Sequence, residues 1–267
     1  MDLFSLKGKT AIVTGACGLI GKKHCEALSE AGANVVFADV NEELCQWFAG
    51  ELGANHLGLR LDVTDESSVL HAKNKILAQY GKIDVLVNNA AINDMFENPQ
   101  LAFEKSKFEN YPLEMWKKSL DVNITGVFLC SQILGAPMAE SGKGSIINIA
   151  STYAIVAPDQ NLYKDEEGNQ RFYKSPAYPT TKGAVLSFTK FLSAYWGNKG
   201  VRVNALSPGG VSNGQDEFFI QNYSSKTLLG RMANSSDYKG ALIFLSSDAS
   251  SYMTGANLVV DGGWTVI

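Results

Sequence analysis

The chain has 267 residues, of which 45% are hydrophobic and 19% charged, and its formal net charge is -4. This composition is typical of a globular protein with a large core, and the lack of a basic excess argues against nucleic-acid binding. The length allows one large α/β domain or two small ones. The four cysteines form no C-x-x-C pair and have no ligand spacing with a histidine, so we expect free thiols and no metal site.

The N-terminal segment Met1–Lys9 lacks the basic and apolar regions of a signal peptide. No apolar run approaches the roughly 20 residues that a membrane span needs. We therefore expect a cytoplasmic protein with no membrane partner.

Short apolar runs alternate along the chain with longer segments of helical periodicity. The predicted strands are Lys9–Thr14, Asn34–Ala38, Leu57–Leu61, Ile83–Val87, Gly144–Ile149, Val201–Ala205 and Asn257–Val260. The main predicted helices are Ile20–Ala31, Glu66–Tyr80, Leu113–Ala139, Tyr178–Trp196 and Ser236–Ser247. The strands are too uniformly apolar for a one-sided antiparallel sheet. The pattern predicts one α/β domain over residues 1–267, doubly wound and Rossmann-type, with a seven-stranded, mainly parallel sheet.

Two long connections interrupt this alternation, at about residues 90–112 and 156–176. Structureless segments of this length are uncommon in compact domains unless they serve a site or are disordered. We expect both to flank an active site.

The first strand leads directly into a glycine-rich turn that contains Gly15, Gly18 and Gly21 and then opens a helix. Glycines at this point let the backbone approach a pyrophosphate, whose charge lies at the helix N-terminus. Asp39 closes the second strand eighteen residues after Gly21, near the spacing of an acid that binds ribose hydroxyls. A carboxylate there repels a 2′-phosphate, so the pattern predicts NAD rather than NADP. The alternative is that Asp39 caps the helix beginning at Glu42, although Asn41 is better placed for that role.

Two further polar pairs follow buried strands. Asp62-Val63 would lie over the adenine in a dinucleotide fold, but Asp62 also suits a plain turn beside a helix cap. Asn88-Asn89 ends the fourth strand, where ligands bind in open α/β sheets, and a structural role in bridging backbone groups is as plausible there as a ligand contact.

Tyr178 and Lys182 are four residues apart, so they lie one turn apart on the same face of a helix. Free tyrosine loses its proton near pH 10, and a neighbouring cation can bring that pKa toward neutrality. The spacing alone carries little weight, because Tyr-x-x-x-Lys often occurs by chance.

Taken in order, these segments resemble the classical short-chain dehydrogenase/reductases over nearly the whole chain. The matching segments are Thr14–Gly21, Asp39, Asp62-Val63, Asn88–Ala91, Asn123, Ser151, Tyr178 with Lys182, Ser207–Gly210 and Thr254–Gly263. Within that family, the chain also resembles the enzymes of bacterial surface-sugar biosynthesis.

The resemblance implies an NAD-dependent oxidoreductase that interconverts a secondary alcohol and a ketone. It implies that Tyr178 exchanges the proton, that Lys182 lowers the pKa of Tyr178 and holds the ribose, and that Ser151 binds the reacting oxygen. It also implies that Asn123 connects Lys182 to solvent through water. Thr152, Tyr153 and Tyr173 are rivals for these roles, but neither of these tyrosines has a lysine four residues later. The implied cofactor contacts are Gly15, Cys17, Gly18, Leu19, Ile20, Gly21, Asp39, Val40, Asp62, Val63, Asn89, Ala90, Ala91, Tyr178, Lys182, Pro208, Gly209 and Val211.

The chain departs from the family pattern at three places. Its glycine spacing resembles that of the extended branch, which includes sugar-nucleotide epimerases and dehydratases, so such an activity is an alternative. Ala91 stands where glycine is usual. The interval from Ser151 to Tyr178 is 27 residues, about twice the interval that is usual in the family. A non-catalytic NAD-binding regulator is a second alternative, although such proteins usually lose the tyrosine or the lysine.

The connection at 156–176 carries both charge signs, which favours a polar substrate such as a sugar derivative or polyol over an acyl chain or steroid. A solvated loop or a subunit contact would explain the same composition. We expect substrate contacts from Ser151, Tyr153, Tyr178, Gly210 and Asn213, and a substrate lid at about 212–231. The resemblance also implies a homo-oligomer, a tetramer or dimer.

Overall fold

The computed structural model describes residues 3–93 and 99–266. Seven strands form one sheet: β1 (Thr10–Thr14), β2 (Asn34–Asp39), β3 (Leu57–Arg60), β4 (Val85–Asn88), β5 (Gly144–Ile149), β6 (Val201–Pro208) and β7 (Asn257–Val260). Their spatial order is β3-β2-β1-β4-β5-β6-β7, and every neighbouring pair is parallel. The predicted Rossmann-type fold is therefore confirmed, and the sheet is wholly rather than mainly parallel.

Helices cover both faces of this sheet. They are α1 (Leu19–Glu30), α2 (Glu42–Leu52), α3 (Glu66–Tyr80), α4 (Pro99–Ser106), α5 (Leu113–Leu120), α6 (Gly126–Ser141), α7 (Ala177–Trp196), α8 (Glu217–Ser225) and α9 (Lys239–Ser246). Two apolar clusters separate the layers. One packs α1, α2 and α9 against one face of the sheet, and the other packs α3, α6 and α7 against the opposite face.

Helices α5 and α6 are one continuous helix, joined by a π-helical turn at Asp121–Thr125. This helix, Leu113–Ser141, is long and apolar enough to cross a membrane by length and composition alone, with a mean hydropathy of 1.4 in its most apolar stretch. The sequence analysis did not single out this helix, because polar residues such as Asn123 and Gln132 interrupt its apolar run. In the fold, α6 packs on β4, β5 and α3, and a helix buried in the core of a globular domain has the same composition.

The strand order places a crevice at the carboxyl ends of β1 and β4, because the chain runs outward from β1 on one side and from β4 on the other. Ligands of open α/β sheets bind at such a point. The glycine turn after β1, Asp39 at the end of β2 and Asn88 at the end of β4 all lie along this edge of the sheet.

Both long connections contain short helical segments. The first contains α4 and a short helical turn at Phe108–Asn110, while its residues 94–98 lie outside the described part of the chain. The second contains a helical turn at Gln160–Tyr163 and an antiparallel bridge between Lys164 and Gln170. The predicted lid region contains α8, which begins at an Asp216 N-cap.

Candidate active site

The turn between β1 and α1 can be built only with small residues. Gly15 has a φ of +63°, and a Cβ atom there would lie 2.7 Å from the Ala90 Cα. A Cβ at Gly21 would lie 2.1 Å from the Gly15 carbonyl oxygen. Gly18 occupies the N-cap position of α1 with no side-chain cap, and the first turn of α1 has no acidic residue. The helix itself therefore places no acidic side chain at its positive end, which leaves the N–H groups of its first turn available for an anion.

Asp39 holds the glycine turn against the end of β2. One of its carboxylate oxygens accepts the backbone N–H of Cys17 at 3.1 Å, and the other accepts that of Asn41 at 3.3 Å. The cap of α2 is Asn41, whose side-chain oxygen accepts the Leu44 N–H at 3.0 Å. The alternative role of Asp39 as a helix cap is thus excluded.

The asparagines after β4 bridge protein groups. The Asn89 side chain donates to the carbonyl oxygens of Thr14 and Gly15 at 2.9 and 3.0 Å. The buried Asn88 side chain donates to Ser131 and Asn148. Both side chains therefore hold together the segments that form the base of the crevice. This is the structural role that the sequence analysis gave as an alternative to a ligand contact.

A cleft of about 720 Å³ opens along this edge of the sheet. Seven of the predicted cofactor residues line it: Gly15, Asp39, Val40, Asp62, Val63, Ala90 and Ala91. Asp62 is held by Thr64, whose N–H and hydroxyl both donate to its carboxylate, and Asp65 caps α3. The far wall, formed by Lys118, Asp121, Val122 and Thr125 of the long helix, was not foreseen, because only contact across the fold brings it here.

These features fit a dinucleotide. The close backbone approach at Gly15 leaves room for a pyrophosphate beside the helix N-terminus. A carboxylate at the end of β2 suits the ribose hydroxyls. The volume of the cleft also lies within the range of small-molecule and cofactor pockets.

Tyr178 and Lys182 lie one turn apart at the start of α7, as predicted. The Lys182 Nζ is 5.7 Å from the Tyr178 ring centroid and donates to the Ile149 carbonyl oxygen at 2.7 Å. Its side chain is only 3% exposed, and burial lowers the pKa of Lys182 to about 8. This nitrogen therefore lies between the end of β5 and the tyrosine.

Ser151 lies two residues after the end of β5, and its hydroxyl is close enough to the Tyr178 phenol to affect the pKa of that group. Burial raises the pKa of Tyr178 above its ordinary value, while the Ser151 hydrogen bond lowers it and the nearby Tyr153 raises it. The neighbouring Thr152 hydroxyl instead affects the pKa of Tyr223, which it lowers. Ser151, rather than Thr152, is therefore the hydroxyl associated with Tyr178.

Asn123 lies in the π-helical turn and is fully buried. Its side chain accepts the Ile92 N–H at 2.8 Å and donates to the Ile92 carbonyl at 3.0 Å and to the Thr181 hydroxyl at 3.1 Å. Thr181 directly precedes Lys182, so Asn123 lies beside the base of the predicted relay. Within the described part of the chain, the Asn123 side chain bonds to Ile92 and Thr181 and not directly to Lys182.

The segment after β6 is held by two tyrosines that the sequence did not single out. The Tyr223 hydroxyl accepts the Gly210 N–H at 2.6 Å, and the Tyr238 hydroxyl donates to the Gly209 carbonyl at 2.9 Å. Val211 forms a bridge with Ala233. Pro208 ends β6, which places this segment at the carboxyl edge beside β5.

The connection at 156–176 reaches the predicted catalytic group. The Lys174 Nζ lies 5.0 Å from the Tyr178 ring centroid and 6.0 Å from that of Tyr153, and it donates to the Asn93 side chain. The Tyr153 hydroxyl is 3.1 Å from that of Tyr163. Asn213, by contrast, is exposed in a turn whose backbone is held by Gln215.

The described residues contain no group of three or more His, Cys, Asp or Glu side chains that could hold a metal ion. The four cysteines, including Cys17 beside the glycine turn, are free thiols, as predicted.

Fold and cleft together define a dinucleotide-binding α/β protein, and comparison with known proteins gives its family. The model of a family described as enoyl-(acyl carrier protein) reductase matches residues 15–265. The D-threitol dehydrogenase of Mycolicibacterium smegmatis is 35% identical over 271 residues, which cover 98% of this chain and 95% of the relative. The NAD-dependent glycerol dehydrogenase of Listeria innocua is 32% identical over 268 residues, with 98% and 96% covered. The chain belongs to the classical short-chain dehydrogenase/reductase family.

Other relatives widen the range of substrates and cofactors. A 3-alpha-(or 20-beta)-hydroxysteroid dehydrogenase of Mycobacterium tuberculosis is 36% identical over 258 residues, covering 97% of this chain and 90% of the relative. The crystal structure of a gluconate 5-dehydrogenase from Burkholderia cenocepacia, in complex with NADP and tartrate, superposes with a TM-score of 0.85 at 32% identity, covering 100% and 98% of the two chains. The protein is therefore an oxidoreductase of a nicotinamide-dependent family that acts on alcohols.

Proposed function

We propose that this protein oxidises a secondary alcohol of a polar substrate, such as a polyol or sugar derivative, to a ketone with NAD, and catalyses the reverse reaction. The main support for the proposal is that Ser151 and Tyr178 lie close together beyond the end of β5, with the buried Lys182 next to them. The threitol, glycerol and gluconate dehydrogenases among the relatives support a polyhydroxylated substrate.

In this proposal Tyr178 takes the hydroxyl proton during oxidation and returns it during reduction. Before substrate binds, the Ser151 hydroxyl stabilises the ionised tyrosine. With substrate bound, its single O–H donates to the reacting oxygen as negative charge develops there. A bound nicotinamide supplies the hydride acceptor or donor.

Lys182 has two tasks in the proposal. Its ammonium group favours the ionised form of Tyr178 by charge, and in the bound state it holds a hydroxyl of the nicotinamide ribose. Asn123 acts through Thr181 and the Ile92 backbone, which it fixes, and a water-linked path from this point to solvent would let the proton leave.

NAD is the proposed cofactor because Asp39 stands where the adenosine ribose would lie. One carboxylate oxygen accepts the Cys17 N–H of the glycine turn and the other accepts the Asn41 N–H after β2. The charge is therefore fixed in place and would repel a 2′-phosphate. The pyrophosphate would lie on the turn formed by Gly15, Cys17, Gly18, Leu19, Ile20 and Gly21.

We also propose a cytoplasmic homo-oligomer, a dimer or tetramer. Aromatic side chains on α6 and α7 support it, because Phe128, Phe191 and Tyr195 are exposed by 44, 62 and 60% and lie in a row of ring contacts with Phe188. Exposed apolar patches of this kind mark contact surfaces.

The test is a panel of polyols, sugar acids and aldoses offered with NAD and, separately, with NADP, with reduced nicotinamide measured by its absorbance. We expect reduction of NAD with at least one polyol. No net reduction with either nucleotide, together with interconversion of a sugar nucleotide, would instead support the epimerase alternative. Failure to bind any nicotinamide nucleotide would contradict the proposal.

A further inference from the structure

The connection at 156–176 contributes a buried phenol that lies against Tyr153, one of the predicted substrate contacts. Tyr163, in the short helical turn at Gln160–Tyr163, is 7% exposed and packs with Leu162 against Tyr223, Met232 and Trp264. Its ring also contacts Phe172 and Phe219, with centroids 4.9 and 5.8 Å away. This packing fixes the position of the phenol.

The Tyr163 hydroxyl forms a pair with the hydroxyl of Tyr153 at 3.1 Å. Tyr153 is two residues after Ser151, and its backbone N–H donates to the Ser151 Oγ at 3.1 Å. Ser151 in turn lowers the pKa of Tyr178. The rings of Tyr153 and Tyr178 also flank one ammonium group, that of Lys174, at 6.0 and 5.0 Å. Tyr153, one member of the hydroxyl pair, therefore lies next to Ser151 and Tyr178.

The two paired phenols keep hydrogen-bonding capacity for a further group. Two phenols carry two O–H groups, and the bond between them uses one. The other O–H and the free lone pairs can bind a further group. Burial raises the pKa of Tyr153 and of Tyr163, so both stay neutral hydroxyls in the range where enzymes are assayed. A neutral donor–acceptor pair matches an alcohol hydroxyl, which is likewise both donor and acceptor.

We propose that Tyr163, acting through Tyr153, determines specificity by binding a second hydroxyl on the carbon next to the reacting carbon, so that the substrate is a vicinal diol or α-hydroxy ketone. The inference rests on the proposed function and narrows its substrate class. Tyr163 is the positioning residue, and Tyr153 makes the contact with substrate.

The experiment compares two ketones that differ by one hydroxyl, acetoin and butanone, in their reduction with NADH. A site built to bind a hydroxyl strongly rejects the analogue that lacks it, because a buried polar group is then left unpaired. We expect the wild-type kcat/KM for acetoin to exceed that for butanone by about 10-fold or more. Tyr163→Phe should reduce this ratio at least about 5-fold, with the loss confined to acetoin.

Tyr173→Phe is the matched control, since it removes a phenol hydroxyl from the same connection but outside the pair, and its ratio should match the wild type. Tyr153→Phe approaches the pair from the other side and should lower the ratio as Tyr163→Phe does, which keeps the test valid if one variant fails to fold. A merely structural role would lower both activities together and leave the ratio unchanged.

The experiment distinguishes failure of this inference from failure of the proposed function. If the wild type oxidises polyols but reduces acetoin no faster than butanone, or if neither tyrosine variant that folds changes the ratio, the inference is overturned and the proposed function stands. If the wild type acts on no alcohol or ketone with either nucleotide, the proposed function itself falls, and the inference with it.

Discussion

The Lys182 Nζ donates to the backbone carbonyl of Ile149 at 2.7 Å, while the Tyr178 ring centroid is 5.7 Å from the same nitrogen. The lysine is thus anchored to the end of β5 rather than bonded to the tyrosine. In this arrangement burial governs both groups, raising the pKa of Tyr178 and lowering that of Lys182. In the structure the group that lowers the pKa of Tyr178 is Ser151. The expectation that Lys182 also lowers this pKa therefore stays a prediction of the proposed mechanism.

Lys182→Met should abolish turnover yet stabilise the folded protein. The pKa of Lys182 falls from 10.5 to about 8 on folding, so the unfolded chain binds more protons between these values and stability rises with pH across that window. Below about pH 8 the buried charge opposes folding, and its removal should raise the unfolding free energy by about 1–3 kcal/mol at pH 7. Denaturant melts at pH 7 and pH 10 measure this.

The gain in the Lys182→Met variant should shrink at the higher pH, where the wild-type lysine is neutral. Lys190→Met, on the exposed face of the same helix, is the control and should change stability little at either pH. A Lys182→Met variant that is less stable than the wild type at pH 7 would contradict the assigned burial cost.

Ser151→Ala should move the pH dependence of alcohol oxidation to higher pH. Oxidation needs ionised Tyr178, so its rate rises with pH through the pKa of that group. The Ser151 hydrogen bond lowers this pKa, and its loss should raise it and delay the rise. Profiles of kcat/KM against pH for the wild type, Ser151→Ala and Ser151→Thr measure the shift. The threonine variant keeps a hydroxyl and should restore part of the wild-type profile, whereas identical profiles for all three would exclude the bond from the mechanism.

Asp39→Ala should weaken discrimination against NADP. Removal of the carboxylate abolishes its repulsion of a 2′-phosphate and also its bond to the Cys17 N–H. We expect the ratio of kcat/KM for NAD over NADP to fall at least about 10-fold. Asp62→Ala, which removes a carboxylate from the same cleft, is the control and should affect the two nucleotides alike. A wild type that prefers NADP would refute the assignment of Asp39.

Gly15→Ala should destabilise the protein and block nucleotide binding. The new Cβ would lie 2.7 Å from the Ala90 Cα, and the φ of +63° is itself unfavourable for alanine. Gly81 has a similar φ of +74° but nothing within 4 Å of its Cβ position, so Gly81→Ala isolates the backbone term of about 1 kcal/mol. Thermal melting should show a larger loss for Gly15→Ala, by about 1–3 kcal/mol. Equal losses would mean that the turn has room to spare.

Much of the fold could be predicted because local pattern and global arrangement agree. Uniformly apolar strands separated by amphipathic helices leave little choice besides a parallel sheet covered on both faces, and strand β5 was predicted at its observed bounds. Helix α3 was likewise predicted at its observed bounds, where Asp65 caps it. The predicted start of α9, at Ser236, is three residues earlier than the observed start at Lys239, because residues 235–238 form a turn before the helix.

The site was predictable only where one segment carries the information. The glycine turn and the Tyr178–Lys182 pair are local motifs, and the structure places them at one edge of the sheet. The contacts of Asn123 with Ile92 and Thr181 join three distant segments, and no spacing in the sequence encodes them. The same holds for Tyr163, whose neighbours come from α8 and the C-terminal segment. The charged residues of its connection suggested a polar loop, but an aromatic cluster anchors it.

The central claim is that Tyr178 carries the proton, and Tyr178→Phe tests it most directly. Loss of the phenol hydroxyl should reduce kcat for oxidation of the best polyol by about 10³-fold or more, while the affinity for NADH, followed by its fluorescence, stays within about 3-fold of the wild type. Tyr252→Phe, at a fully exposed position, is the control and should behave like the wild type. Full activity in Tyr178→Phe would contradict the account.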